Sequence, residues 1–173
     1  MIYRVIATFL FAGHLRPAPG TWGSLAALPA AWIIHGLFSV WGLTLAIALA
    51  FFAGWIATQK VTAGSDNHDP SEVVIDEVAG QWLALWPISY GMWHIGADPW
   101  AVPVQGAFAA FVLFRFFDIT KLGPIGWADR RNDPMGVMLD DMIAGLFAAL
   151  VLFVGAAYIH WAFDAMEFMR WIF

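Results

Sequence analysis

Residues 17–59 contain no Asp, Glu, Lys or Arg, and neither do residues 142–163. A membrane helix needs about 20 predominantly apolar residues. The first run therefore predicts two spans, 24–39 and 41–59, with a tight reversal near His35–Trp41. The second predicts one span, 142–163, entered directly from Asp140–Asp141. Two further candidates, 78–96 and 100–116, flank a Gly-Ala-Asp-Pro turn at Gly96–Pro99. The short segments 24–39 and 100–116 are expected to be tilted or partly embedded. The chain is 61% hydrophobic and only 12% charged, whereas soluble domains carry roughly 25% charged residues. The expected fold class is all-α: a polytopic membrane bundle of about 4–5 hydrophobic helices, forming a single domain over residues 1–173. The N-terminal MIYRVIATFLFAGHLRP has a charge and an apolar run but no small-residue cleavage pattern, and is expected to be retained.

With five alternating spans, Arg4, Arg16, Lys60, Arg115, Lys121, Arg130 and Arg131 fall on one face and Arg170 on the other. The positive-inside rule makes the crowded face cytoplasmic. Tryptophans near the span ends suit interfacial anchoring, although for individual rings a place in the core is the commoner role. Eight scattered basic residues form no nucleic-acid footprint. The absence of cysteine excludes disulfides, thiolate metal sites and a Cys-nucleophile phosphatase.

Ten of the thirteen acidic residues occupy two windows. Asp66, Asp69, Glu72, Asp76 and Glu77 form the first; Asp118, Asp129, Asp133, Asp140 and Asp141 form the second. The same topology sends both to the cytoplasmic face. Crowded carboxylates stay ionised only in water or around a cation. Oxygen donors without Cys or a His cluster favour a hard ion, Mg²⁺ first and Mn²⁺ second. An EF-hand pattern is absent.

The segments VVIDEVAGQW (73–82) and VMLDDMIAGLF (137–147) share a grammar of adjacent carboxylates followed by Ala-Gly. Acids in a first helical turn interact well with the positive helix end. Small residues one turn later let two helices approach closely. Packing through Ala79–Gly80 and Ala144–Gly145 would bring Asp76, Glu77, Asp140 and Asp141 together. Helix capping alone explains one acid per helix but not a second neighbour.

Arg115, Asp118 and Lys121 are spaced three apart, on adjacent parts of one helix face. Asp129, Arg130 and Arg131 follow a Gly/Pro break. Cations beside metal-binding carboxylates suit a phosphate ester, while Arg131 and Lys60 read as ordinary positive-inside charges. In RPAPGTWGSLAALP (16–29), Gly20, Thr21, Gly23 and Ser24 precede an apolar helix and offer a cradle for an anion. No Lys follows as in a Walker A loop, and a Thr or Ser N-cap is the commoner explanation.

Four blocks, PGTWGSLAALP, HDPSEVVIDEVAGQW, FRFFDITKLGPIGWADR and MGVMLDDMIAG, together resemble the phosphatidylglycerophosphatase A family. The resemblance implies an all-helical, Mg²⁺-dependent enzyme of phospholipid biosynthesis in the bacterial cytoplasmic membrane. It would hydrolyse the phosphomonoester of phosphatidylglycerophosphate to phosphatidylglycerol and phosphate at the inner face. Carried over residue by residue, it implies metal ligation by Asp69, Asp76, Glu77, Asp140 and Asp141. It places catalysis on Asp76, Glu77, Asp129, Asp140 and Asp141, and substrate binding on Thr21, Ser24, Arg115, Asp118 and Lys121; Arg130, next to Asp129, is a further substrate-binding candidate. Two departures alter loop shape: Leu122 where the family often has Pro after the Lys, and Pro134-Met135 where it often has Gly-Gly. The aspartate-phosphatase motif DxDx[TV] is missing, which favours activated water over an aspartyl phosphate. The PSGH block of histidine-based lipid phosphatases and the DGxxAR pattern of CDP-alcohol transferases are missing too. The rival from another class is a cation transporter or channel using the same carboxylates. Its pathway would need ionisable groups inside spans, whereas these lie at span ends. Asp66, Glu72 and Asp133 read as solvent-facing bystanders. The number of metals, the general acid and the oligomeric state stay open.

Overall fold

The computed structural model describes residues 1–65, 67 and 69–172, with 160–172 as backbone only; Asp66 lies outside the described residues, as does the side chain of Arg170. The fold is all-helical, with no strand among the described residues. Six α-helices follow in order: α1 (Ile2–Ala7), α2 (Pro19–Val61), α3 (Ile75–His94), α4 (Val104–Thr120), α5 (Pro124–Asp129) and α6 (Pro134–Ile172). A short 3₁₀ turn, Ala12–His14, joins α1 to α2.

The long α2 is two arms. Ser39 interrupts it with φ 61° and ψ −165°. A Cβ on Gly23 would meet Val74 at 2.7 Å, and one on Gly54 would meet Ile75 at 3.0 Å. In a straight helix, positions 23 and 54 would stand about 46 Å apart at 1.5 Å per residue. They touch neighbouring residues instead, so the chain reverses at Ser39, within the expected turn. Leu37, Trp41, Leu45, Leu49, Phe52 and Ile56 are all exposed. Large exposed apolar side chains in such number suit a surface that meets lipid or another protein.

Between the arms and α6 lies α3, whose Val78, Ala79, Gly80, Gln81, Trp82 and Ala84 are buried. Trp82 Nε1 donates to the Ala27 carbonyl at 2.9 Å, fastening α3 to the first arm. Toward α6 the contact is backbone on backbone. A Cβ on Gly80 would lie 2.5 Å from the Asp141 carbonyl oxygen, and one on Gly145 would strike the Gly80 carbonyl. The small residues therefore close the α3–α6 interface as their spacing predicted.

Two helices among the described residues are long and apolar enough to cross a membrane, Pro19–Val61 and Pro134–Ile159. The segments expected as spans 78–96 and 100–116 are helical but do not meet that standard, and α4 starts only at Val104, after Pro103. Three local expectations are corrected. Helix α2 begins at Pro19 with Ala18 as its N-cap, so Thr21 and Ser24 lie in its first turns and cap nothing. Helix α6 begins at Pro134, which puts Asp140 and Asp141 in its second turn rather than at its mouth. Asp133 is not a bystander: its Oδ1 accepts from the Gly136 N–H at 2.6 Å, capping α6. Tryptophans divide as the two readings allowed. Trp82 is core, whereas Trp41, Trp93 and Trp100 are exposed where α2 reverses, α3 ends and α4 begins.

Candidate active site

The start of α3, the end of α4 and the start of α6 meet at the other end of the bundle. Asp76 and Glu77 occupy the first turn of α3, where helix N-terminal peptide groups favour negative charge. The glycine contact with α6 sets Asp141 against them. One carboxylate oxygen from each of Asp76, Glu77 and Asp141 lies within 4.8 Å of the others. Asp76 Oδ1 accepts the Glu77 backbone N–H at 2.9 Å. Glu77 Oε2, Asp140 Oδ1 and Asp141 Oδ1 are buried with no hydrogen-bond partner among the described residues.

Two ionised carboxylates about 4.8 Å apart repel by roughly 3–4 kcal/mol at an effective dielectric near 20. Three such pairs with orphaned, buried oxygens form a donor set suited to a divalent hard cation. The residues present thus fit the expected ion. Gly20 brings α2 into the same corner, since a Cβ there would strike Glu77 Oε1 and lie 3.3 Å from Arg115 Nη1.

A cationic layer flanks the carboxylates. Asp118 holds both members, with Oδ2 2.7 Å from Arg115 Nη1 and Oδ1 2.9 Å from Lys121 Nζ. Lys121 Nζ also bonds Asp140 Oδ2, and lies 3.6 Å from Asp129 and 4.0 Å from Asp141. Burial opposes the Lys121 charge, but Asp141, Asp118 and Asp140 outweigh it and hold the ammonium above its ordinary range. Lys121 ends α4 in the left-handed region, φ 48°, a conformation costing a non-glycine residue about 1–2 kcal/mol. Arg115 Nη1 donates to Ser24 Oγ at 3.5 Å, linking α4 to α2. A polar cleft of about 460 Å³ opens beside this layer, lined among others by Asn67, Asp69, Asp129, Arg131, Asn132 and Asp140.

Burial raises the Asp69 pKa above 3.8; Lys121 opposes the shift, while Asp129 and Asp118 add to it. The folded protein therefore holds the Asp69 proton to higher pH than the unfolded chain does. Stability of chelator-treated protein should fall as pH rises from about 4 through that window. Thermal unfolding across the range, with and without Mg²⁺, checks the slope; added Mg²⁺ should flatten it.

Of the expected site residues, Asp76, Glu77 and Asp141 form the compact triad. Asp140 faces Lys121 instead, so the four carboxylates do not form one ring. Asp69 and Asp129 line the adjoining cleft. Arg115, Asp118, Lys121 and Ser24 form the cationic flank. Arg130 is exposed and makes none of the site's ion pairs among the described residues. Thr21 is half-buried one turn before Ser24, without a side-chain hydrogen bond among those described. Arg131 pairs with Asp133 at 2.9 Å, which draws the Asp133 pKa down. Gln81 went unnoticed in the sequence. It is fully buried one turn beyond Glu77, with neither amide atom partnered among the described residues. Its i+4 spacing from Glu77 is the one trace of it in the sequence, too common on a helix to single it out.

Replacing Lys121 with Met should cut turnover by about 100-fold or more, because Asp118 and Asp140 lose their shared partner and buried carboxylates are left uncompensated. Lys121→Arg should restore part of it. Steady-state phosphate release by both variants measures the difference.

Comparison with known proteins gives this arrangement a chemical context. Residues 5–156 match the phosphatidylglycerophosphatase A family. The chain belongs to that family. A phosphatidylglycerophosphatase A of Haemophilus influenzae is 37% identical over 150 residues, covering 86% of this chain and 85% of the relative. One from Escherichia coli K12 is 34% identical over 155 residues, covering 87% and 81%. A protein of Bacteroides thetaiotaomicron named as a putative phosphatidylinositol-3-phosphatase is 32% identical over 157 residues, covering 87% and 91%. No solved structure matches. The phosphatidylglycerophosphatase A family relationship makes this protein a phosphatase.

Proposed function

We propose that the protein hydrolyses the phosphomonoester of phosphatidylglycerophosphate, with Mg²⁺, or Mn²⁺ in its place, held by Asp76, Glu77 and Asp141. The supporting observation is the buried triad of crowded carboxylates beside two cations that Asp118 holds in place. Asp69, Asp129 and Asp140, at the adjoining cleft, complete the acidic wall. When bound, the ion supplies Lewis-acid polarisation and lowers the pKa of water. Arg115 and Lys121 neutralise charge on the phosphoryl oxygens. Ser24 and Asp118 fix the two cations, so their geometry is set before substrate arrives. Phosphate monoesters hydrolyse so slowly unaided that enzymes accelerate them by up to ~10²¹. Carboxylates and cations acting together match that demand better than either alone.

The proposed setting is the bacterial cytoplasmic membrane, crossed several times, with the acidic end facing the cytoplasm. Support comes from the two arms of α2, from α6 and from the basic residues clustered near the acidic end. The place of the reaction in phospholipid biosynthesis belongs to the same proposal. A cation pathway is not favoured, because the buried acids Asp76, Asp118, Asp140 and Asp141 all lie at one end of the bundle.

Phosphate release by purified protein in detergent tests the assignment. Phosphatidylglycerophosphate should be hydrolysed with Mg²⁺ and not with excess chelator. Phosphatidylinositol 3-phosphate, offered in parallel, separates the two head groups for which the relatives are named. Release from neither substrate would remove the proposal.

A further inference from the structure

A second cavity of about 500 Å³ lies deeper in the bundle, and its walls are almost wholly apolar. Leu25, Leu28 and Trp32 of α2, Ile88 of α3, and Ala107 and Phe111 of α4 are among its lining residues. These three helices also reach the acidic site, where α6 joins them with Asp140 and Asp141. Leu25 directly follows Ser24, and Phe111 lies one turn before Arg115.

The depth can be read from helix rise. His35, near the cavity's far end, lies eleven positions beyond Ser24; Val104, on the other wall, lies eleven before Arg115. Eleven residues at 1.5 Å each give about 16 Å. Half of a hydrocarbon core about 30 Å thick is about 15 Å. The cavity thus descends from the phosphate site by about one leaflet.

Trp32 lines the far end, and Trp100 backs it from outside the lining. Trp32 Nε1 donates to the Trp100 carbonyl at 3.2 Å, and the Trp100 ring covers Gly36, where a Cβ would meet it at 2.6 Å. His35 Nδ1 and Ser89 Oγ, hydrogen-bonded to each other at 2.7 Å, are the polar groups at this depth. Sideways the cavity is bordered by exposed Leu25, Val104 and Phe108, so a chain can enter from lipid.

We infer that this cavity holds one acyl chain of the lipid whose phosphate occupies the acidic site, and that the Trp32–Trp100 floor limits the chain length accepted. The inference rests on reading the acidic site as a lipid phosphomonoesterase. It adds a hydrophobic anchor that the head-group chemistry does not require.

Narrowing the cavity from opposite walls tests it, with Ala107→Phe on α4 and Leu28→Phe on α2. Release from dioleoyl phosphatidylglycerophosphate should fall at least tenfold in kcat/KM in each variant. Release from the dihexanoyl substrate, too short to reach the floor, should stay within about twofold of wild type, which also shows that the variants fold. Equal losses on both substrates, or none on either, overturn the inference. Wild-type protein inactive on both substrates refutes the phosphatase assignment instead. An activity-independent measurement then decides the cavity: a phosphatidylglycerol carrying a photoreactive group at an acyl terminus is crosslinked to wild-type protein. Labelling of the Trp32–His35 segment, diminished in Ala107→Phe, supports the cavity as acyl site; labelling confined to exposed α2 residues such as Leu49 overturns it.

Discussion

Asp141→Asn is expected to reduce phosphate release by about a thousandfold while making the chelator-treated protein more resistant to heat. The first effect follows from losing a charge on which the proposed ion depends, comparable to removing one preorganised electrostatic group, about 10²–10³ in rate. The second follows from repulsion. Asp141 is almost fully buried beside Asp76 and Glu77, and an amide of the same shape removes two like-charge contacts. Each kcal/mol of relief raises the midpoint of a chain this size by about 2–4 °C, so a gain of several degrees is expected without metal. Adding Mg²⁺ should reverse the order, stabilising wild type through preferential binding to the folded state and leaving the variant unchanged. A purely structural role for Asp141 predicts the opposite sign, a loss of stability with or without the ion.

Gly80→Ala should be as damaging as loss of a ligand, although glycine carries no chemistry. Its new Cβ would lie 2.5 Å from the Asp141 carbonyl oxygen and 2.6 Å from a Phe114 ring carbon. Neither neighbour yields easily, since one is backbone and the other is fully buried. Helices α3 and α6 must separate, which costs about 1–3 kcal/mol as overpacking. Asp141 then moves away from Asp76 and Glu77, and a displacement of about 1 Å can cost roughly 100-fold in rate. Gly91→Ala on the same helix is the control, because nothing lies within 4 Å of its Cβ position and alanine favours helix by about 1 kcal/mol. The Gly80 variant should show lower thermal stability and a weaker response to Mg²⁺, whereas the Gly91 variant should match wild type or exceed it in stability.

Much of this site was legible because its determinants are local. Adjacent carboxylates followed one turn later by Ala-Gly is a short-range pattern, and it foretold both the α3–α6 contact and the convergence of Asp76, Glu77 and Asp141. The uncharged run 17–59, too long for one span, likewise marked a helical hairpin reversing near His35–Trp41, and the break falls at Ser39. What escaped depended on relations between segments. Nothing near Asp140 in sequence says that its partner is Lys121, nineteen residues earlier, because a left-handed turn at Lys121 decides that. Helix boundaries at Pro19, Val104 and Pro134 shifted because proline sits comfortably in a first helical turn or just before it, and the apolar pattern alone ignores it. Gln81 was masked by its neighbours. In a run of buried residues, an unpartnered amide is recognisable only once its surroundings are known.

The proposed chemistry depends on a divalent cation held by Asp76, Glu77 and Asp141 for removal of a lipid phosphate. Its most direct test is a Mg²⁺ titration of phosphate release from phosphatidylglycerophosphate, comparing wild-type and Asp76→Asn protein in detergent. Saturable Mg²⁺ dependence in wild type, no release with chelator, and a loss of about a thousandfold in the variant at every Mg²⁺ concentration are predicted. Release that survives chelation, or a variant with wild-type turnover and Mg²⁺ dependence, would contradict it.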